Sequence, residues 1–133
     1  MNKNYLAKII AKDNNGLHLI SACCSGAKVK IKEIKFLKKN KIFLFFLERF
    51  KKEEGKNDEK INSICKFEFI EEVKSKNINQ STNEAVIELL AIDILKKNHI
   101  YEITLLFKNN AFITLFTEII EVTLEDQIRA KYD

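Results

Sequence analysis

The part of the sequence that most restricts the fold is IFLFFL, residues 42–47, where six consecutive residues are apolar. Successive side chains of a strand point to opposite faces of a sheet, so an apolar run on both parities is typical of a central strand covered on both sides. The run is too short for a membrane helix, which needs about 20 apolar residues. We therefore predict a buried central strand over 41–49.

Alternation of apolar and polar residues recurs along the chain and predicts further strands. The alternating segments are VKIKEIKFL (29–37), SICKFEFIEEV (63–73), AVIELLAIDIL (85–95), YEITLLF (101–107) and AFITLFTEIIEV (111–122), and YLAKIIA (5–11) is short and apolar. The pattern slips near Glu33, which indicates a β-bulge or a break between two short strands. The charged segment 51–62 and the polar segment 77–84 are predicted to be loops.

One segment has helical periodicity instead. Leu17, Ile20 and Cys24 recur at i, i+3 and i+7, which places them on one face of a helix. Asp13 or Asn14 is suited to cap the amino end of this helix, and Gly26 is suited to end it. Residues 124–133 are predicted to form a short second helix.

These elements predict an α+β fold that is mostly β. We expect an antiparallel, hairpin-rich sheet that forms a sandwich or a partly open barrel, covered by one helix at about residues 14–25. The length of 133 residues is that of a single domain with its own hydrophobic core, and we assign residues 1–133 to it.

Residues 29–47 resemble residues 87–105 at an offset of 58 positions, and LKKN recurs at 37–40 and 95–98. Each copy reads as strand, lysine-rich turn and strand, with Asn at the position where a turn needs the left-handed conformation. Two interpretations remain open. The hairpin is duplicated and makes the sheet pseudo-symmetric, or common residues recur by chance.

The charge is distributed unevenly. Residues 1–60 hold fifteen Lys and Arg against seven Asp and Glu, a net charge of +8, whereas residues 61–133 have a net charge of −4. Such asymmetry can mark an RNA-binding face, and the candidate residues for it are Lys28, Lys30, Lys32, Lys38, Lys39 and Lys41. Only two of the 23 basic residues are arginines, so codon bias in an AT-rich genome is an alternative explanation.

Motifs that would indicate catalysis or a cofactor are missing from the sequence. The three glycines are dispersed, so there is no phosphate-binding loop, and neither G-x-S-x-G nor HExxH occurs. No Cys/His spacing predicts zinc. We therefore expect no cofactor and no metal, and an enzyme is not favoured. The odd number of cysteines and an amino terminus without an apolar signal segment predict reduced thiols in a cytoplasmic protein.

Three charged residues stand inside apolar strands and are the candidate binding residues: Arg49, Asp93 and Glu118. Burial of an unpaired charge is costly, so Arg49 is expected either at a rim or paired with a carboxylate such as Glu118 or Asp93. A paired, structural arginine is the favoured interpretation. An enzyme pocket around Arg49 is the third functional hypothesis.

Several short motifs follow one another in a fixed order: ISA (20–22), RF (49–50), LLAI (89–92) and a closing segment with Ile113, Leu115, Glu118, Glu121, Leu124 and Asp126. This order resembles that of a bacterial family of domains of unknown function, numbered 2948, which consists of small alphaproteobacterial proteins. The chain departs from the family pattern at Glu48, where Asn is usual. The resemblance covers nearly the whole chain and implies a bacterial cytoplasmic protein, without an activity.

The sequence alone therefore favours a non-enzymatic module that binds another protein or helps it assemble. The alternative is a basic module associated with RNA or the ribosome. Neither interpretation involves a membrane, and the sequence identifies neither the partner nor the oligomeric state.

Overall fold

The structure is a computed structural model and describes residues 6–51, 55–79 and 84–127, with residues 56–58 described by their backbone. Its one α-helix in these ranges is α1, Asn14–Cys24. The strands are β1 Lys8–Ala11, β2 Ala27–Lys30, β3 Ile34–Leu37, β4 Ile42–Lys51, β5 Lys56–Phe67, β6 Ile70–Lys76, β7 Val86–Lys97, β8 Ile100–Phe107, β9 Ala111–Thr117 and β10 Val122–Gln127.

All described strands belong to one antiparallel sheet of ten strands. Its order is β1-β10-β5-β4-β2-β7-β8-β9-β6, and β3 pairs with β4 beside this path. The sheet is not closed into a barrel. The predicted fold class, α+β and mostly β with one covering helix, is confirmed.

Helix α1 forms where the periodicity predicts it. Asp13 caps its amino end, because the side-chain Oδ1 accepts a hydrogen bond from the Gly16 N–H at 2.8 Å. The chain leaves the helix through Gly26, whose φ of 87° suits glycine and disfavours other residues. The buried face of the helix consists of Leu17, Ile20, Cys23 and Cys24.

The helix covers an edge of the sheet. Strand β2 pairs with β7 only as far as Leu89, so no strand of the described chain pairs with the remainder of β7 on that side. The Ile92 N–H in this stretch donates a hydrogen bond to the Ser21 Oγ of α1 at 2.8 Å. An edge amide that would otherwise lack a partner is thereby bonded, and α1 is fixed against the sheet.

Several strand boundaries differ from the prediction. The slip near Glu33 is a break: a single 3-10 turn, Ile31–Glu33, separates β2 from β3. The segment 63–73 is two strands rather than one, because the chain turns at Phe69, whose φ is 61°. The predicted loop 51–62 is largely strand, since β5 begins at Lys56.

The carboxyl-terminal prediction is also corrected where the structure describes it. Residues 124–127 belong to β10, not to a helix, and the remaining predicted helix residues, 128–133, lie outside the described part of the chain. The segment 111–122 is interrupted between β9 and β10. One strand cannot contain both β9 and β10, because β10 pairs with β5 and these two strands lie in the opposite half of the strand order from β9.

The central strand was predicted to be covered on both faces, and this is wrong for one face. Phe43, Phe45 and Leu47 are buried, and the rings of Phe43 and Phe45 contact each other with centroids 6.3 Å apart. On the opposite parity Phe46 is 37% exposed. β4 is central in its pairing, with β5 on one side and β2 and β3 on the other.

The strand order has a two-fold pseudo-symmetry about the pair β2–β7. We call β2 to β5 the first unit and β7 to β9 the second unit. Reading outward from the centre, β4 corresponds to β8, β5 to β9, and β10 to β6. The chain that leaves the first unit forms β6, which pairs with β9 of the second unit. The chain that leaves the second unit forms β10, which pairs with β5 of the first unit. Val29 and Ile87, which pair at the centre, are 58 residues apart in the sequence. This is the offset between the similar segments 29–47 and 87–105, which supports the interpretation of a duplicated hairpin.

The turns of the two similar segments, 29–47 and 87–105, nevertheless differ in length. Leu37 pairs with Ile42, which leaves a four-residue connection, whereas Lys97 pairs with Ile100 and leaves only two residues. The left-handed residue is Asn98 in the second turn, as predicted, but Lys41 rather than Asn40 in the first. If the two turns are aligned by sequence, the strands that follow them are therefore two residues out of step with the correspondence given by strand pairing.

Candidate functional site

Arg49 is fully buried and bonded on several sides. Its Nη2 donates to Asp126 Oδ1 at 2.9 Å, and both side chains have an exposure of 0%. Its Nε donates to Ser63 Oγ at 3.1 Å, and Nη1 donates to the Phe50 carbonyl at 3.1 Å. The guanidinium is therefore held inside the sheet by partners from β4, β5 and β10.

Asp126 extends this network to the amino terminus of the described chain. Oδ1 also accepts a hydrogen bond from the Ser63 hydroxyl at 2.7 Å, and Oδ2 accepts one from the Ala7 N–H at 2.8 Å. The Asp126 N–H donates to the Ala7 carbonyl at 2.9 Å. Charge-assisted bonds of this kind compensate the cost of burying both charges. The network connects three strands and the residue that precedes β1, which indicates a structural role.

The predicted carboxylate partner of Arg49 is wrong. Asp93 and Glu118 are exposed, and Asp93 Oδ1 accepts from the Ile94 N–H at 2.9 Å. The structure does not bring these two residues to Arg49. Sequence reasoning missed Asp126 and Ser63. Both residues could have been found, because each lies at a position whose side chain points inward in a strand of alternating apolar and polar residues.

The six candidate RNA-binding lysines are exposed, but part of their charge is compensated. Lys28 lies 2.7 Å from Glu88, Lys32 lies 3.3 Å from Glu84, and Lys41 lies 3.1 Å from Glu71. The hydrogen bond and the charge of Lys28 lower the pKa of the Glu88 carboxyl, and Lys108 adds to this effect. RNA binding remains a prediction, without a geometric argument in its favour.

One concave site is a cleft between β3 and β6 that is lined mainly by apolar side chains. Its volume is about 330 Å³, within the range of small binding pockets. It is lined by Ile31, Lys32, Ile34, Phe36, Phe43, Val73, Ser75, Ile78 and Ile113. We call this the β3–β6 cleft. Arg49 does not line it, so the predicted arginine and the cleft are separate features.

Two strand edges border the β3–β6 cleft. β3 pairs only with β4, and β6 pairs only with β9, among the strands that the structure describes. The two edges meet at one end, where the Ile70 N–H donates to the Lys41 carbonyl at 2.8 Å. Ile78, which follows β6, packs against the core and also lines the cleft.

A second, more polar cleft of about 330 Å³ lies where β2 and β4 share a single residue pair, Lys28–Glu48. Its lining combines charged residues of both signs with Phe46 and Val86. Because the lysine and glutamate side chains compensate one another, this cleft has no clear preference for a charged ligand.

All three cysteines are buried and none forms a disulfide bond, in agreement with the predicted reduced thiols. Burial raises the pKa of the Cys65 thiol, and a hydrogen bond with the Cys24 thiol of α1 raises it further. A thiol held in its neutral form is a poor nucleophile and a poor metal ligand. In residues 6–51, 55–79 and 84–127 no group of His, Cys, Asp and Glu could hold a metal ion.

The fold and the site define a class: an antiparallel sheet with one covering helix, a buried ion pair and an apolar cleft. The family described as "Protein of unknown function (DUF2948)" matches residues 7–132, and the chain belongs to this family. The predicted resemblance is confirmed. No curated protein and no solved structure matches the chain. Over the described residues, none of the helices has the length and apolar character needed to cross a bilayer.

The motifs that carry the family resemblance coincide with structural contacts. Ser21 of the ISA motif bonds to Ile92 of the LLAI motif, and Arg49 of the RF motif bonds to Asp126 of the closing segment. The β3–β6 cleft contains residues outside these motifs as well, such as Phe36 and Ile78. The motifs thus describe how the fold is held together, and the cleft is the remaining candidate for binding.

Proposed function

We propose that this protein is a non-enzymatic binding domain of the bacterial cytoplasm that receives a segment of a partner protein in the β3–β6 cleft. The observation that carries the proposal is an apolar cleft between two strand edges that have no strand partner in the described chain. Such edges and apolar grooves are recurrent recognition sites for peptide segments. No cofactor is part of the proposal.

The charged groups support binding rather than catalysis. Only Lys32 among the cleft residues carries a charge, and Ser75 is the other polar side chain there. Neither has a base or an acid of matched geometry among its described contacts, since Lys32 lies beside the exposed Glu84. Seven of the nine lining residues are apolar, as expected where affinity comes from burial of a partner's side chains.

A pair of matched variants tests the proposal. Ser75→Tyr places a ring in the cleft, whereas Lys74→Tyr places the same ring on the outer face of β6, where Lys74 lies over Phe116. Tyrosine suits strands, so both variants are expected to fold. Proteins that bind the purified wild-type chain in nuclease-treated lysate of the source organism are identified, and their affinities are then measured with purified components.

The expected partner binds wild type and Lys74→Tyr alike and binds Ser75→Tyr at least about tenfold more weakly, a loss of 1.4 kcal/mol or more. Retention of every specific partner by a folded Ser75→Tyr variant would overturn the proposal. Binding that is present in untreated lysate and lost on nuclease treatment would instead favour the RNA alternative.

A further inference from the structure

The pseudo-symmetry gives the β3–β6 cleft a counterpart elsewhere in the molecule. Paired residues form rows across each unit, and the rows correspond. One row of the first unit is Ile34, Phe45, Cys65 and Leu124. The corresponding row of the second unit is Ile92, Leu105, Ile113 and Ser75. Ile34 thus corresponds to Ile92, Cys65 to Ile113, and Leu124 to Ser75.

Helix α1 occupies the counterpart. The helix bonds to Ile92 through Ser21, and its Cys24 thiol contacts the Cys65 thiol. The residues that correspond to Ile92 and Cys65 are Ile34 and Ile113, and both line the cleft. The cleft is therefore bordered by the same positions of the sheet that α1 covers in the other half of the molecule.

We propose that the occupant of the β3–β6 cleft is an amphipathic α-helix of a partner protein, seated as α1 is seated on the other side. This inference rests on the proposed function and specifies its ligand. The helix presents apolar side chains at i, i+3 and i+7, as α1 presents Leu17, Ile20 and Cys24. It needs no hydroxyl for the β3 edge, because the Ile34 N–H already donates to the Ile31 carbonyl.

The shape of the cleft favours a helix over an added strand. A strand added to β6 would run along the whole edge, but the Ile70 N–H at one end is already bonded to Lys41. A helix can instead lie over the side chains that line the cleft, as α1 lies over Ile92 and Cys65 in the counterpart.

Synthetic peptides test the inference on the full chain. The first probe has the α1 sequence, residues 13–26, with Cys23→Leu and Cys24→Leu and a hydrocarbon staple on its outer face. The second has the same composition and staple in scrambled order. The third is an unstapled peptide of alternating threonine and valine, which favours a strand. Binding is followed by NMR of the Ile34, Val73 and Ile113 methyl groups and by amide exchange along β6.

The stapled helix is expected to shift these methyl signals saturably, the scrambled peptide is not, and Ser75→Tyr is expected to abolish the shifts. Absence of methyl shifts with the stapled helix at millimolar concentration would overturn the inference. So would saturable binding of the threonine–valine peptide alone, with protection of the β6 amides. The proposed function fails on a different result, the retention of its protein partner by Ser75→Tyr.

Discussion

At the scale of single residues, the buried pair Arg49–Asp126 determines how three strands lie against one another. Arg49 is on β4, Ser63 on β5 and Asp126 on β10, and the three side chains bond within the core. Slippage of one strand by a single residue would turn its polar side chain to the other face and leave a buried charge without its partner. The network thus opposes register errors in a sheet otherwise composed of interchangeable apolar residues.

The first prediction concerns the energy of this pair. Arg49→Leu and Asp126→Leu are each expected to lower the free energy of unfolding by about 3–5 kcal/mol, because each removes one side of a buried, charge-assisted hydrogen bond. The double variant should lose less than the sum of the two, by about 1–3 kcal/mol. Urea denaturation followed by circular dichroism measures all four proteins.

The exposed pair Lys60–Glu48, at 3.8 Å in the same hairpin, is the matched control. Its leucine variants should show a coupling of at most about 0.5 kcal/mol, as is usual for surface ion pairs. Additive losses at Arg49 and Asp126 would contradict a coupled, buried pair.

The second prediction concerns pH. Burial and the contact with Cys24 raise the pKa of the Cys65 thiol, so the folded state keeps its proton at a pH where the unfolded state ionises. The unfolded chain then binds fewer protons, and stability falls as pH rises above about 8.5, by at most about 1.4 kcal/mol per pH unit. Urea denaturation between pH 7 and 10 is compared for wild type and Cys65→Val.

All other titrating groups are common to the two proteins, so the difference between their pH dependences reports the thiol. Wild type is expected to lose stability relative to Cys65→Val above the ordinary thiol pKa, and parallel curves would show that Cys65 ionises equally in both states.

At the scale of elements, alternation in the sequence predicted which segments are strands but not all of their ends. β8 was clear because its apolar parity is unbroken, whereas the parity of β7 changes at a bulge between Leu89 and Ala91. The break between β5 and β6 was hidden, because Phe69 continues the apolar parity although it is 44% exposed in a turn. A turn whose residues match the pattern of the strand leaves no signal in the alternation.

The charged stretch after Lys51 was wrongly predicted to be a loop. Its polarity is typical of a loop, yet β5 begins at Lys56 and extends the hairpin beyond the core. Backbone hydrogen bonds sustain a ladder even where side chains have little to bury, so polarity alone does not end a strand. Similarly, Lys41 takes the left-handed conformation that the sequence suggested for Asn40.

The third prediction tests how α1 is attached. Ser21→Ala removes the acceptor of the Ile92 N–H, which is then left buried at the sheet edge. We expect a loss of about 1–2 kcal/mol in the free energy of unfolding and faster amide exchange at Ile92. Ser75→Ala, an exposed serine on β6, should change stability by less than about 0.5 kcal/mol. Unchanged exchange at Ile92 would show that the hydroxyl is dispensable.

At the scale of the whole molecule, the partner of Arg49 depends on topology that local patterns do not contain. Asp126 is 77 positions away and reaches Arg49 only because β10 leaves the second unit and pairs with β5. Asp93 and Glu118 were plausible from polarity alone, but exposed strand positions accommodate charges equally well. The similarity between residues 29–47 and 87–105 indicated pseudo-symmetry. The exchange of β6 and β10 between the two units is visible only in the strand order. For the same reason the β3–β6 cleft could not be predicted.

The exchange of strands leads to the last prediction, that the two units unfold together. β6 follows the first unit but pairs with β9, and β10 follows the second unit but pairs with β5, so neither unit retains its outer strand if the other opens. Amides of Cys65 in β5 and Leu105 in β8 should therefore exchange with the same opening free energy. Arg49→Leu, although it lies in the first unit, should lower both values equally. A decrease confined to Cys65 would show that the first unit opens alone, and the exchanged strands would then not couple the two units.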